Sequence, residues 1–85
     1  MNWIIFIDGK AKKYLRRIPK QDSGRVREAL RELVHNPYAG DIEKMEGKID
    51  AWRRRVGSYR IFYEIYEQRN LIYISEIQRR TSTTY

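Results

Sequence analysis

The chain has 85 residues, with 18 lysines and arginines against 11 aspartates and glutamates, giving a net charge of +7. That length supports one domain, 1–85, because two halves could not each bury a core. There is no cysteine, which excludes disulfides and thiolate metal sites and leans toward a reducing compartment, so a cytoplasmic location is expected. The apolar start over residues 2–7 is too short for a signal core or a membrane span, and no membrane partner is expected. The charge favours a polyanionic partner such as nucleic acid; the plainer alternative is that surplus lysine and arginine keep a small protein soluble.

In chain order, residues 2–7 form an apolar run of strand length closed by Asp8-Gly9. Asp8 is placed to cap a helix that follows. Ala11, Tyr14, Leu15 and Ile18 make one helical stripe, ended by Pro19. Val26, Ala29, Leu30, Leu33 and Val34 make a second, stopped by Asn36-Pro37. The short connection predicts an antiparallel helix pair. Residues 38–51 read as a loop, because Gly40, Gly47 and several charges interrupt any period. The period then becomes two, and residues 52–56, 59–66 and 71–77 read as strands rich in β-branched and aromatic residues. Gly57-Ser58 suits a tight hairpin turn. The predicted fold is α+β, in the order β-α-α-β-β-β, with a helix hairpin packed on one face of a small, mainly antiparallel sheet. The sequence does not say where the first strand joins that sheet.

With Gly57 and Ser58 as the turn, Arg55 opposes Arg60 and Arg53 opposes Phe62, and alternate residues share a face. Trp52, Val56, Tyr59, Ile61, Tyr63 and Ile65 then point at the helices, while Arg53, Arg55, Arg60 and Phe62 point away. A turn near Gln68-Arg69 pairs Arg60 with Ile77 and adds Tyr73, Ser75, Ile77 and Arg79 to the open face. Four arginines and two aromatics are thus expected together with no carboxylate directly opposite any of them, Glu64 being the nearest acid. Arg55 across from Arg60 is a like-charge pair, which costs stability in an empty sheet. A bound phosphate would relieve it, since guanidinium forks match phosphate oxygens; a solvated basic face is the bland alternative. Phe62 and Tyr73 are candidate base-stacking residues. Arg54 falls on the core side, where it must snorkel, pair with an acid or mark a bulge, and Glu76 at the core edge is its candidate partner. His35 reads as a capping or surface residue. One histidine, no acidic cluster of ligand spacing and no Gly-rich phosphate loop give no reason to expect a metal or another cofactor.

The stretch Trp52-Arg-Arg-Arg-Val-Gly-Ser-Tyr-Arg-Ile-Phe-Tyr-Glu-Ile65 resembles the signature hairpin of the RelE/ParE toxin superfamily. The helix pair ending in Asn36-Pro37, the loop Lys44-Met45-Glu46-Gly47 and the closing Arg79-Arg80-Thr-Ser-Thr-Thr-Tyr85 are also similar, so the likeness covers nearly the whole chain. The RelE-type branch implies the toxin of a type II toxin–antitoxin system: a ribosome-dependent, metal-independent endoribonuclease (an mRNA interferase). Its reaction is attack of a 2′-OH on the adjacent phosphate of messenger RNA in the ribosomal A site. Carried over by position, the resemblance gives catalytic roles to Arg53, Arg55, Arg60, Arg79 and Tyr85 and a proton-accepting role to Glu43. Arg80, beside Arg79, is a further RNA-binding candidate. The implied partners are a cognate antitoxin protein, messenger RNA and the ribosome. In RelE itself lysines stand at the positions of Arg53 and Arg55, many relatives carry histidine where this chain has Gln78, and the position of Arg54 is usually aliphatic. Two other readings stay open: a ParE-type toxin, not a nuclease, that binds and inhibits DNA gyrase, and a plain basic RNA-binding module.

Overall fold

The computed structural model of the chain describes residues 3–79. Its elements are β1 (Ile4–Ile7), α1 (Gly9–Arg17), α2 (Lys20–His35), β2 (Ile42–Lys44), β3 (Ala51–Val56), β4 (Tyr59–Tyr66), a short 3-10 turn (Glu67–Arg69) and β5 (Leu71–Arg79). The five strands form one sheet in the order β1-β5-β4-β3-β2, with both helices on one face, so the expected α+β architecture is present. The unplaced first strand lies parallel to β5, with Ile4 opposite Leu71 and Ile7 opposite Ile74. Every other pairing is antiparallel.

The local signals act as their chemistry dictates. Asp8 caps α1, accepting from the Lys10 amide at 3.0 Å, and its other oxygen accepts from the Tyr73 hydroxyl at 2.6 Å. Between the helices Ile18 and Pro19 are both extended, because a residue preceding proline is pushed out of the helical region. The two apolar stripes meet the sheet. Ala11 and Leu15 from α1, and Val26, Ala29, Leu30 and Leu33 from α2, are buried against Tyr59, Ile61, Tyr63, Ile65, Ile72, Ile74 and Ile77. Each large aliphatic among them contributes about 1.5–3 kcal/mol by leaving water.

Two expectations need correction. Residues 38–51 are not all loop, since β2 lies within them and pairs with β3, Ile42 facing Arg54 and Glu43 facing Arg53. A three-residue edge strand with two exposed positions has no period of its own to read; its partner creates it. The second correction concerns register. Tyr63 pairs with Ile74 as counted, but Phe62 pairs with Glu76 and Arg60 with Gln78 rather than Ile77. Ser75 is therefore an extra residue in β5, and its hydroxyl donates to the Phe62 carbonyl at 3.2 Å. A bulge of this kind turns over every side chain beyond it. Ile77, expected on the open face, is buried at 3% exposure, and Glu76, expected at the core edge, is exposed.

Arg54 lies on the core side and takes the second of its three expected routes, with a different acid. Its Nη2 donates to Glu32 Oε1 on α2 at 2.5 Å, not to Glu76. Its side chain is only 12% exposed, and Nε and Nη1 are buried with no hydrogen-bond partner among the described residues. Gly40 lies flat against the guanidinium with φ +87, and a Cβ there would be 2.6 Å from Arg54 Cζ. Removing Glu32 leaves the guanidinium buried without its acid, whereas removing the guanidinium leaves a half-exposed carboxylate free to meet water. Glu32→Ala should therefore cost about 1–3 kcal/mol, and Arg54→Met should be close to neutral, an asymmetry that urea unfolding of the two variants will measure.

Candidate functional site

The outer face of β3 and β4 carries the counted residues. Arg53 and Arg55 alternate on β3, and across the hairpin Arg55 pairs with Arg60 and Arg53 with Phe62. The turn between the strands places Gly57 at φ +58, with only its first central residue at positive φ, the pattern of a type II′ hairpin and a conformation glycine adopts without strain. Arg53, Arg55 and Arg60 line a shallow cleft of about 140 Å³. The like-charge pair read from the sequence is real.

The cleft is not free of acids, as had been expected. Asp41 and Glu43 complete its lining. Arg53 Nε and Nη2 donate to Glu43 Oε1 at 3.1 and 2.8 Å, and Arg55 Nε donates to Asp41 Oδ2 at 3.1 Å. The Arg55 amide also donates to the Asp41 carbonyl at 2.9 Å, so Asp41 extends the β2 side of the sheet. Arg60 has no carboxylate partner among the described residues. One guanidinium is open, and two are occupied by carboxylates. Glu64 and Glu76 share this face by register. Lys48 lies over the same face, beside Phe62, Glu64 and Glu76, so among the described residues three arginines and one lysine meet four acids and the open face carries no net positive charge.

The remaining candidates divide. Arg79 does not join the cluster. The bulge at Ser75 pairs it with the buried Tyr59 on the helix side of the sheet. There it acts on the Tyr59 hydroxyl, whose pKa is raised chiefly by the hydrogen bond to Asp22 and lowered in part by the Arg79 charge. Phe62 is half-buried on the open face beside Arg53. Tyr73 pairs with Glu64, four residues along β4 from Arg60, roughly 13 Å at strand spacing. Its ring is stacked on Phe6, with centroids 5.6 Å apart and planes 16° apart. Arg80 and Tyr85 lie outside the described residues. His35 is exposed at the last position of α2. The sequence reading missed Asp41 and Phe6. Asp41 had a faint signal, two acids spaced i, i+2 as on a strand face; Phe6 needed the β1 to β5 pairing, which no local pattern carries.

A family model described as "ParE toxin of type II toxin-antitoxin system, parDE" matches residues 5–83. No curated protein matches the sequence. Among solved structures, the chain is similar to one from the archaeal RelE–RelB complex of Pyrococcus horikoshii, with a TM-score of 0.84, 27% identity and coverage of 98% of this chain and 100% of that one. It is also similar to the isolated RelE toxin of E. coli, with a TM-score of 0.83, 16% identity and coverage of 95% and 87%. A toxin–antitoxin complex from Mycobacterium tuberculosis gives a TM-score of 0.81, 20% identity and coverage of 94% and 100%.

Two outcomes test this geometry. Asp41→Asn frees Arg55 for an outside anion while keeping the side chain's shape, and should tighten inorganic phosphate binding several-fold in a calorimetric titration. Asp8 is held below its ordinary 3.8, first by the Tyr73 hydrogen bond and then by the Lys10 amide. A depressed carboxylate contributes stability that is present above 3.8 and lost as pH falls through the folded value. Tyr73→Phe should raise the Asp8 pKa toward 3.8 in an NMR titration and move that loss to higher pH.

Proposed function

This chain belongs to the ParE toxin family of type II toxin–antitoxin systems, and from that premise we propose that it is an endoribonuclease toxin cutting ribosome-bound messenger RNA. The observation that carries the proposal is the Arg55 to Arg60 pair, two like charges directly opposite in a cleft, one of them without an acid. A sheet tolerates that repulsion at a cost, and a bound phosphate oxyanion removes it.

In the proposed reaction the ribose 2′-oxygen attacks its own phosphate. The bond from phosphorus to the 5′-oxygen of the next nucleotide breaks and that oxygen takes a proton from water, leaving a 2′,3′-cyclic phosphate and a 5′-hydroxyl. Arg60 and Arg55 hold the phosphorane oxygens through preorganised donors, and Arg53 and Phe62 hold the flanking nucleotide. Arginine stays protonated at ordinary pH and is a poor base. Of the two carboxylates in the cleft, Asp41 and Glu43, the acceptor role goes to Glu43, the one the family resemblance marks, which must leave Arg53 as substrate arrives. A carboxylate is a weak base, so alignment of the 2′-oxygen supplies most of the rate. Arg79, on the helix side of the sheet, takes no part in this scheme. The partners are messenger RNA in the ribosomal A site and a cognate antitoxin, and the setting is the cytoplasm.

A second reading draws on specific observations. The matching family model is the ParE one, and the open face has no net positive charge among the described residues, both of which suit a toxin that binds gyrase and leaves RNA alone. Arg60→Ala separates the two. It removes a guanidinium without an acid partner, so the melting temperature should hold while cleavage of message on programmed ribosomes falls by ~10²–10³. Cleavage at the wild-type rate by this variant would sink the nuclease reading. A wild-type protein that inhibits gyrase supercoiling and leaves message 5′ ends unchanged would establish the ParE type.

A further inference from the structure

Most of the positive charge of the molecule is not on its arginine cleft, where three arginines meet two acids. Residues 9–35, which form the helical layer, contain nine lysines and arginines and three acids, so +6 of the chain's +7 lies there. It is densest on α1, which has Lys10, Lys12, Lys13, Arg16 and Arg17 and no acid. Lys12, Lys13, Arg16 and Arg17 are all exposed, and none has an ion-pair partner among the described residues. Lys12 and Arg16, Lys13 and Arg17, and Lys13 and Arg16 are spaced i, i+4 or i, i+3, so like charges sit one above another and weaken the helix. The first turn, where the helix dipole favours acids, has none. Solubility does not require cations stacked against one another and against the dipole.

We propose that this ridge on α1 docks the phosphate backbone of folded RNA, as a surface separate from the arginine cleft on the other side of the sheet. The ridge has no stacking platform of the kind a single strand needs, because Tyr14 is half-buried with its ring edge-on to Tyr59. Duplex RNA is recognised through phosphates and shape, which a row of lysines and arginines supplies. A membrane surface is a poor fit, since Ala11 and Leu15 are already buried in the core and leave no apolar face to insert. A protein interface is centred on apolar or aromatic anchors with lysine depleted, the reverse of this composition.

The test is fluorescence anisotropy on a blunt 20-base-pair RNA duplex over a range of salt, with poly-glutamate as a second probe. The variant replaces Lys12, Lys13, Arg16 and Arg17 with glutamine, which keeps helix propensity and removes the repulsion, so its melting temperature should hold or rise. The double variants Lys12→Gln/Arg16→Gln and Lys13→Gln/Arg17→Gln serve if the quadruple one does not fold. The expected result is at least tenfold weaker duplex binding and a salt slope shallower by about 3 for four lost contacts. Lys44→Gln/Arg69→Gln, which removes two exposed cations outside both α1 and the cleft, should leave that slope unchanged. Folded ridge variants that bind duplex as the wild type does would overturn the proposal. So would poly-glutamate binding as tight as duplex binding and lost on the same substitutions, which would make the ridge an acidic-protein site.

Discussion

Strand β4 is buried on one side only, and that constraint sorts every chemically active side chain in the molecule. Tyr59, Ile61, Tyr63 and Ile65 are inside, while Arg60, Phe62 and Glu64 are half-buried on the other face. A shift of one residue would put arginine into the core and isoleucine into water, so the register has no close competitor. From that fixed strand β3 is set by the Gly57 turn, which is why Arg55 has to meet Arg60. β5 is set by the same core, and the bulge at Ser75 is the adjustment that keeps Ile72, Ile74 and Ile77 all buried over nine residues. The position of Arg79 follows from that adjustment. It is carried to the helix side because Ile77 is held in the core.

The molecule separates two uses of positive charge. On the open face two of three guanidiniums are paired with carboxylates, which leaves a cleft with directed donors and little long-range field. On the helical layer the charge is unmatched and exposed, and attracts anions over about a Debye length, ~8–10 Å at ordinary salt. A cleft of the first kind discriminates among anions by geometry; a surface of the second kind gathers them. The net charge visible in the composition belongs to the second, although the hairpin pattern directs attention to the first.

What was legible in the sequence follows from where the information is local. The two helix stripes, the Asp8 cap and the Gly57 hairpin each depend on residues within a few positions of one another, and each appears where it was read. The Arg53, Arg55 and Arg60 cluster depends only on counting outward from one glycine. Past Ser75 the count fails, because this bulge is made by a serine and a side-chain hydrogen bond rather than by a glycine that would announce it. β2 was illegible for a different reason: Ile42, Glu43 and Lys44 have no pattern of their own and become a strand by lying against Arg53 and Arg54. Asp41 was missed with it, and Glu43, named through the resemblance, was not seen to pair with Arg53. Arg54 was rightly marked as awkward, but its true partner on α2 lies 22 residues away, beyond the reach of strand arithmetic.

The parallel pairing of β1 with β5 also has a consequence for how the protein is made. Ile4 and its partner Leu71 are 67 residues apart, and closing so long a chain loop delays the contact in folding. During synthesis the segment Ile-Ile-Phe-Ile has no strand to pair with until residues 71–74 have left the exit tunnel. Until then it is an unpaired, uncharged strand of the sort that pairs with the wrong chain. The interval between the two strands, and not only the strength of the finished sheet, thus bears on how the chain folds.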